Sequence, residues 1–480
     1  MNPAVPPSSE EEIVPVTRRR SRKKDVFFKG IVLSADVLIG VALFFAINSL
    51  TGYYSLWSPS SVIVPIITAI LGMVLVGGYR HTTDFASLRY ASEHLIAFAV
   101  TYPLAAFLLY VVFSFGAEPT SGRGLFTGTY LALAVLTLLI RRSYWFLSQK
   151  YRTERPFLVI VDEKFGPVFH RDYLSSGGSR PIVYAAANPS MLDKELDGPG
   201  SPLIGRCASS IIDSLGRDEA SAYEAIILAA NPPSLDDADL AALGTIHFEE
   251  MPVYSLETFY EKYWERIPLQ TVEPSWPLET EFMLVDHSVF TSLKRMMDIL
   301  IALLALIITL PVMAVVAVMV RCSDGAPVIF SQHRVGIHGK LFTLFKFRTM
   351  KVGSDKGDRY TSVGDNRITR VGNFLRKTRL DELPQLWNVL RGDMSMIGPR
   401  AEWVKLVKEY DQKIANYQFR HLVRPGITGW AQVNYPYGAN LEDTLMKLSY
   451  DLYYIRNFSI RLDAEVLLKT LHVMSFGKGR

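Results

Sequence analysis

Two adjacent carboxylates, Asp381 and Glu382, follow a strongly basic stretch in this chain of 480 residues. The basic residues of this stretch are Arg370, Arg376, Lys377 and Arg379. Charges in this arrangement can form a solvated helix face, or they can form the centre of a reaction on an anionic substrate. The residues around the pair favour the second interpretation.

The pair is predicted to lie at the start of a helix. Apolar residues recur at helical spacing from Leu383 to Leu390, and Gly392 is typical of a helix end. Negative charge is favoured at a helix N-terminus, so both carboxylates are expected to be ionised at neutral pH. Adjacent helical residues point about 100° apart, which argues against a shared proton. One carboxylate can act as the nucleophile while the other holds a hard cation such as Mg²⁺.

Further cations are predicted to bind phosphate. Arg376 and Arg379 are three positions apart on a helix, and a strand over residues 341–350 places Lys346 and Arg348 on one face. Three more arginines follow in glycine-bearing turns: Arg400, Arg420 and Arg424. Each residue alone has an ordinary explanation as surface charge. Together they indicate a metal-assisted phosphate site.

Other chemistries lack their usual sequence patterns. The chain has no Ser-His-Asp order, no HExxH and no Walker lysine motif, and its nine histidines show no metal-ligand spacing. Two cysteines exclude a disulfide framework and a multi-cysteine zinc cluster. The net charge of +4 is too small to argue for nucleic acid as a partner.

The N-terminal part is predicted to lie in a membrane. A polar, basic leader (1–29) is expected to be disordered. Four apolar stretches of nearly spanning length follow at 30–50, 61–79, 92–115 and 125–147. Lys and Arg are concentrated in the leader, in the segment between the second and third apolar stretches and in the segment after the fourth stretch. This distribution predicts four spanning helices (30–150) with both ends in the cytoplasm. The alternative is a set of buried helices in a soluble protein.

A middle domain is predicted over residues 155–256, followed by a linker at 257–291. Four short apolar runs separated by helix-compatible segments indicate a small parallel α/β layer. The turn after the first run contains only Gly166, so the glycine fingerprint of a dinucleotide site is absent. We expect a structural or regulatory role for this domain.

A fifth apolar run, at 295–321, is predicted to enter and leave the membrane on one face. Basic residues flank it on both sides, at Lys294, Arg295 and Arg321, and Pro311 interrupts it. Asp298 is expected to pair with Arg295 at the interface. An ordinary fifth span with a proline kink is the alternative. The aromatic segment that follows residue 445 fits either the bilayer interface or a packed helix pair.

Five segments in their order resemble the bacterial sugar transferase family, the polyprenyl-phosphate phosphohexose transferases. They are KRMMD (294–298), the apolar run, GAPVIFSQHRVGIHGKLFTLFKFRTM (325–350), LDELPQLWNVLRGDMSMIGPR (380–400) and RPGITGWAQVN (424–434). The resemblance covers about 292–480. Two positions depart from the family pattern: Leu310 replaces the usual serine before Pro311, and Ala401 replaces the proline that usually follows Arg400.

The resemblance implies a mechanism and a setting. Asp381 would attack the β-phosphate of a UDP-hexose and expel UMP, and the sugar-phosphoryl aspartate would then react with undecaprenyl phosphate. Glu382 would help to hold Mg²⁺, and Arg376 would bind phosphate. Large members are expected to be homodimers in the bacterial cytoplasmic membrane, with the N-terminus and catalytic domain cytoplasmic, and to begin O-antigen, capsule or exopolysaccharide synthesis.

The fold implied in this way is a membrane α-helical bundle, a degenerate Rossmann-like α/β domain and an α/β monotopic phosphoglycosyl transferase domain (292–480) with a re-entrant helix. Two other functions fit the residues. One is a metal-dependent glycosyl transferase that releases UDP, and the other is a catalytically inactive membrane regulatory protein. The sequence does not identify the hexose.

Overall fold

The computed structural model describes residues 17–51, 59–79, 83–114, 123–149, 155–178, 180–198, 200–215, 222–230, 234–271, 289–353, 366–435 and 440–475. The chain divides into two units, Met1–Arg152 and Thr153–Arg480. Residues 1–16 of the predicted leader and 272–288 of the predicted linker lie outside the described residues.

The described part of the first unit consists of helices α1 (Thr17–Thr51), α2 (Pro59–Leu75), α3 (Leu88–Ser114) and α4 (Arg123–Gln149). The start of α1 corrects the prediction that residues up to 29 are disordered. Arginine and lysine are good helix formers, so the basic segment continues the apolar helix towards the N-terminus.

The predicted span at 61–79 is not confirmed. Within the described residues of this unit, Lys29–Leu50, Leu88–Val111 and Phe126–Ser148 are long and apolar enough to cross a membrane. In α2 the apolar part is shorter, Val62–Val74, because the helix ends at Leu75. Gly77 then turns the chain in the left-handed region, at φ 71°. A further helix of spanning length lies in the second unit, at Phe290–Asp324, and the chain is a membrane protein.

A buried ion pair joins two helices of the first unit. Arg141 of α4 donates to both carboxylate oxygens of Asp36 on α1, at 3.0 and 2.7 Å. Arg141 also donates to the carbonyl of Gly78, and the Tyr79 hydroxyl donates to Asp36. Both charges therefore have partners where charge is costly to bury.

The second unit begins with the predicted parallel sheet. Its strands are β1 (Phe157–Val161), β2 (Ile182–Ala186), β3 (Ala225–Ala229) and β4 (Val253–Ser255), in the order β2-β1-β3-β4 among the described residues. The connecting helices are α5 (Gly166–Ser175), α6 (Ala208–Leu215) and α7 (Asp237–Glu249), and α8 (Leu256–Phe259) follows β4.

Side chains of β1 alternate between the two faces of this sheet. Phe157, Val159 and Val161 pack with Phe169 of α5, whereas Leu158 and Ile160 pack with residues of α6 and α7. Both faces are covered, as the continuous apolar runs of the sequence predict for a parallel sheet.

The long apolar helix α9 (Val289–Asp324) opens the C-terminal region. It continues through Pro311, so a helix broken at this proline is not confirmed. A proline removes one helical hydrogen bond, and the remaining bonds of α9 preserve the helix. The strands β5 (Ile329–Val335) and β6 (Leu341–Phe347) follow as an antiparallel pair.

The remaining elements complete the C-terminal region. They are α10 (Arg370–Thr378), α11 (Gln385–Arg391), β7 (Ser395–Ile397), α12 (Val404–Lys413), β8 (Gly426–Thr428), α13 (Trp430–Asn434), α14 (Leu441–Arg456) and α15 (Ile460–Ser475). Tyr453 and Tyr454 of α14 are buried in a core with Trp430. The packed helix pair is therefore the alternative that the structure supports for these tyrosines.

Candidate active site

The acidic pair lies in a short 3-10 turn, Leu380–Glu382, ahead of α11. This corrects its predicted place at the N-terminus of a regular helix. Pro384 has no amide hydrogen to donate to the carbonyl of Leu380, and Leu383 donates to that carbonyl instead, at 3.3 Å. The turn therefore tightens before α11 begins at Gln385.

Asp381 is buried and retains free hydrogen-bonding capacity. Its side chain is close to fully covered, and its Oδ1 has no hydrogen-bond partner among the described residues. Burial, followed by the charge of Glu382, raises the pKa of Asp381 above its ordinary value, while Lys346, Arg376 and Arg379 act in the opposite sense. An unsatisfied buried carboxylate oxygen is costly unless a ligand completes it.

Glu382 is in a different electrostatic environment. Its Oε1 lies 3.5 Å from Arg400 and 3.6 Å from Arg379. Burial acts to raise its pKa, but Arg400, Lys346 and Arg379 outweigh burial and lower the pKa. The two carboxylates have pKa shifts in opposite directions, which supports the predicted difference in their roles.

Lys346 of β6 is the cation that acts on both carboxylates. It has no ion pair within the part of the chain that the structure describes. Burial, followed by the charges of Arg400 and Arg334, lowers its pKa to about 8. A partly buried ammonium group next to two guanidinium groups favours the binding of an anion.

A small pocket opens beside Lys346. It is lined by Arg334, Leu344, Lys346, Gln385, Met394, Arg400, Ala401 and Gly426. Two polar residues of this lining, Arg334 and Gln385, were not predicted from the sequence. Arg334 and Lys346 face the same side of the β5–β6 pair, because Arg334 aligns with Phe342 and Lys346 with Phe330. If the two strands are paired as a hairpin across the turn HGK, Arg334 falls on the same face as Lys346. The sequence alone could therefore have identified Arg334.

Asn388 fixes the acidic turn relative to β6. Its side chain accepts from the amide of Phe345 at 3.1 Å and donates to the carbonyl of Thr343 at 2.7 Å. Because Asn388 belongs to α11, these bonds hold that helix against the strand that bears Lys346.

The other predicted cations are divided between the site and the scaffold. Arg376 is near Asp381 and donates from Nε to the hydroxyl of Thr349 at 2.9 Å. Arg348 follows the end of β6 and donates to the carbonyls of Asp324 and Gly325. Arg348 therefore anchors the end of α9, and its predicted place beside Lys346 on a phosphate is not supported.

Arg420 and Arg424 are also engaged away from the acidic pair. Arg420 is buried and donates to Asp451 at 2.8 Å, to Tyr417 and to the carbonyl of Arg400 at 3.1 Å. Arg424 donates to the carbonyl of Gly392 at the end of α11. Their contacts support a structural role, since each satisfies carbonyls that would otherwise lack donors.

The basic residues before α9's apolar run have protein partners. Lys294 lies 2.7 Å from Asp463 and 4.0 Å from Asp298. Arg295 donates to the carbonyls of Val389 and Leu390. The predicted Asp298–Arg295 pair is therefore corrected to Asp298–Lys294, because Arg295 caps α11 instead.

Comparison with known proteins identifies the family of this chain. A profile described as bacterial sugar transferase matches residues 289–477. The uncharacterized sugar transferase EpsL of Bacillus subtilis strain 168 is 41% identical over 188 residues, which are 39% of this chain and 89% of that protein.

The chain belongs to the bacterial sugar transferase family.

Two further relatives have names that state an activity. A UDP-N-acetylgalactosamine-undecaprenyl-phosphate N-acetylgalactosaminephosphotransferase of Aeromonas hydrophila is 39% identical over 264 residues, 54% of this chain and 60% of that protein. A UDP-glucose:undecaprenyl-phosphate glucose-1-phosphate transferase of Escherichia coli K12 is 46% identical over 182 residues, 37% of this chain and 39% of that protein. The chain therefore matches only part of the length of these two relatives.

The carboxylates of this sugar transferase can accommodate a divalent cation. No group of three or more His, Cys, Asp or Glu side chains in metal-binding positions occurs among the described residues. Magnesium needs fewer protein ligands when phosphate oxygens complete its shell. The described contacts of Glu382 use Oε1, and Oδ1 of Asp381 has no described partner. The donor set therefore fits Mg²⁺ shared with a phosphorylated substrate.

Proposed function

We propose that this bacterial sugar transferase moves hexose 1-phosphate from a UDP-hexose to undecaprenyl phosphate and releases UMP. The observation that carries the proposal is the buried Asp381 oxygen without a described hydrogen-bond partner, which lies in the field of Lys346, Arg376 and Arg379. A carboxylate in this setting is suited to attack a phosphorus atom whose negative charge the cations offset. The activities in the names of the two relatives support the same reaction class.

The proposed reaction has two displacements at one phosphorus atom. In the first, an Asp381 oxygen bonds to the β-phosphorus, and the bond from that phosphorus to the bridging oxygen breaks. UMP leaves with the electron pair. In the second, an oxygen of undecaprenyl phosphate bonds to the same phosphorus, and the bond to Asp381 breaks, which restores the carboxylate. Neither displacement needs a net proton transfer.

We propose that Glu382 would help to hold Mg²⁺ together with the diphosphate, while Asp381 acts as the nucleophile. The ion supplies positive charge that lowers the repulsion between a carboxylate and a phosphate. Arg379 and Arg400 neutralise Glu382 when no ion is held, at 3.6 and 3.5 Å. We retain Lys346, Arg376, Arg379 and Arg400 as phosphate-binding residues.

We propose that α9 is re-entrant and that the catalytic region faces the bacterial cytoplasm. Before Pro311, Ala302 and Leu306 pack with Phe342 and Leu386. After it, Val316 packs with Phe347 and Leu375 in a neighbouring cluster. Residues on both sides of the proline thus contact the same α/β region, which supports a helix that returns to the face it entered. A transmembrane crossing would separate these two groups of contacts.

The roles of the remaining regions are also proposals. The parallel order β2-β1-β3-β4 is the flavodoxin-like order of doubly wound sheets and differs from the classic order 3-2-1-4 of the Rossmann-like domain that the sequence predicted. We propose a doubly wound α/β domain without a dinucleotide site. A homodimer, location in the cytoplasmic membrane and a first step in surface-polysaccharide synthesis follow from the family resemblance alone.

The product nucleotide tests the proposed reaction. Purified full-length protein is incubated with Mg²⁺, undecaprenyl phosphate and each member of a panel of UDP-hexoses. We expect UMP in equal amount to the lipid-linked product. UDP as the sole nucleotide product would establish a glycosyl transferase instead, and no turnover with any donor would contradict an enzymatic role.

A further inference from the structure

The pocket beside Lys346 has the composition of an anion subsite. Three of its lining residues are cations from separate segments: Arg334 from β5, Lys346 from β6 and Arg400 from the loop after β7. Arg334 is held in place by the carbonyl of Ala401 at 3.1 Å and by Glu402 at 3.9 Å. The positive charge therefore converges before any substrate is present.

Gln385 adds a neutral hydrogen-bonding group to this pocket. The residue is only 4% exposed, and its carboxamide makes no hydrogen bond with the described residues. It is the first residue of α11, four positions after Asp381. Because Gln385 lines the pocket and its carboxamide has no described protein partner, the carboxamide is available to hydrogen-bond a ligand there.

The proposed reaction restricts which anion can use such a pocket. In an in-line displacement the leaving and attacking oxygens lie on opposite sides of phosphorus. UMP therefore leaves from the side opposite Asp381, and the lipid phosphate must then attack from that same side to displace Asp381. One subsite can thus receive both phosphate monoesters in succession.

We propose that Arg334, Lys346, Gln385 and Arg400 form a single phosphate-monoester subsite that the phosphate of departing UMP and the phosphate of undecaprenyl phosphate occupy in turn. This inference rests on the proposed function and adds Arg334 and Gln385 to the substrate-binding residues. Gln385 donates its amide hydrogens to a phosphate oxygen, and Arg334 supplies a fixed charge. Two phosphate esters that share one subsite cannot bind at the same time, so UMP and undecaprenyl phosphate compete for it.

Variants of the pocket test the shared subsite. Gln385→Leu keeps most of the side-chain volume but removes the amide donor, and Gln385→Glu keeps the shape but adds negative charge. A hydrogen bond to a charged group justifies an expected rise of about 10-fold or more. We expect this rise for Gln385→Leu in both the KM for undecaprenyl phosphate and the inhibition constant of UMP against that substrate, and a larger rise for Gln385→Glu.

Arg391→Met is the matched control. Arg391 ends the same helix, is exposed and pairs with Asp393 outside the pocket. The Arg391→Met substitution removes one positive charge at the surface. The KM for undecaprenyl phosphate and the inhibition constant of UMP are therefore expected to stay within about twofold of the wild type, as for most surface substitutions. Thermal unfolding checks that each variant is folded. If Gln385→Leu does not fold, Gln385→Glu and Arg334→Lys provide the comparison.

The outcomes separate the subsite from the proposed reaction. Equal increases in both constants support a shared subsite. A change in only one constant, or in neither, in a folded variant that still releases UMP would overturn it. Failure of the wild-type protein to form UMP from any UDP-hexose would instead refute the proposed function, and with it the shared use of the pocket.

Discussion

Asp381 and Lys346 influence each other across one buried site. Burial raises the pKa of the carboxyl group and lowers that of the ammonium group to about 8, and the attraction between them partly offsets both shifts. Each group must be charged for the proposed reaction. Burial thus narrows the pH range in which both groups are charged.

The pH dependence of kcat/KM follows from these two shifts. Because the pKa of Asp381 is raised, activity is lost on acidification at a pH above the ordinary aspartate value of 3.8. Because the pKa of Lys346 is lowered, activity is lost as pH rises through about 8. Initial rates with UDP-hexose across pH check the prediction.

The Lys346→Arg variant tests whether deprotonation of Lys346 causes the loss of activity at alkaline pH, the alkaline limb of this profile. A guanidinium group remains charged to a far higher pH than an ammonium group, so the limb should move upward even if the rate falls. An alkaline limb that stays near its wild-type position in this variant would exclude Lys346 as its origin.

Arg420 is expected to stabilise the fold rather than to bind phosphate. Arg420→Met leaves Asp451 buried without its 2.8 Å partner, and breaking such a pair costs about 3–5 kcal/mol. Thermal or denaturant unfolding measures the loss. Lys413→Met, which breaks the exposed pair with Glu409 at 2.9 Å, is the control and should cost at most about 1 kcal/mol. Similar small losses in both variants would contradict a structural role for Arg420.

At the scale of the elements, close packing of backbone positions the arginines of α10. A Cβ on Gly372 would lie 2.1 Å from the carbonyl oxygen of Thr349, which is backbone and cannot rotate away. The same residue, Thr349, accepts a hydrogen bond from Arg376. The contact of α10 with the segment after β6 therefore places Arg376 near Asp381.

Gly372→Ala should displace α10 and reduce both stability and turnover. Overpacking of this kind costs about 1–3 kcal/mol, and loss of the Arg376 contact should raise the KM for the UDP-hexose. Asn373→Ala, an exposed change in the same helix, should leave stability within about 0.5 kcal/mol of the wild type. Equal behaviour of the two variants in unfolding and kinetic assays would rule out this packing constraint.

The elements differ in how far the sequence predicts them. The apolar runs predict all four strands of the parallel sheet, because buried strands depend on local composition. The pair of acidic residues is also evident from local sequence. The partners of Arg348, Arg420 and Arg424 are not, because their acceptors come from segments that only the tertiary fold brings near. Gln385 reads as an ordinary polar helix residue until its burial is known.

At the scale of the whole molecule, the catalytic region is joined to the parallel-sheet domain by the segment after α8. Arg266 donates to Asp172 of α5 at 3.0 Å, and Trp430 of α13 donates to the carbonyl of Glu265 at 2.8 Å. Arg266 is buried against the rings of Tyr260 and Trp264. These contacts hold the two domains of the second unit together on the side of the GITGW segment.

The proposed re-entrant course of α9 can be tested with the exposed thiol at its end. Cys322 is exposed, and Ser292 near the start of α9 is exposed as well. In a Cys207→Ser background, a membrane-impermeant maleimide should label Cys322 in inverted vesicles and not in right-side-out vesicles. Ser292→Cys, combined with Cys322→Ser, should show the same sidedness. Labelling of the two positions from opposite sides would establish a spanning helix.

The covalent intermediate is the most direct test of the central claim. The purified full-length protein is incubated with Mg²⁺ and a UDP-hexose that supports turnover, without undecaprenyl phosphate, and intact-protein and peptide mass spectrometry follow. We predict one hexose phosphate bound to Asp381, equal in amount to the UMP released, lost on addition of undecaprenyl phosphate and absent from Asp381→Asn. Turnover of the wild-type protein without this adduct, or a fully active Asp381→Asn variant, would contradict the account.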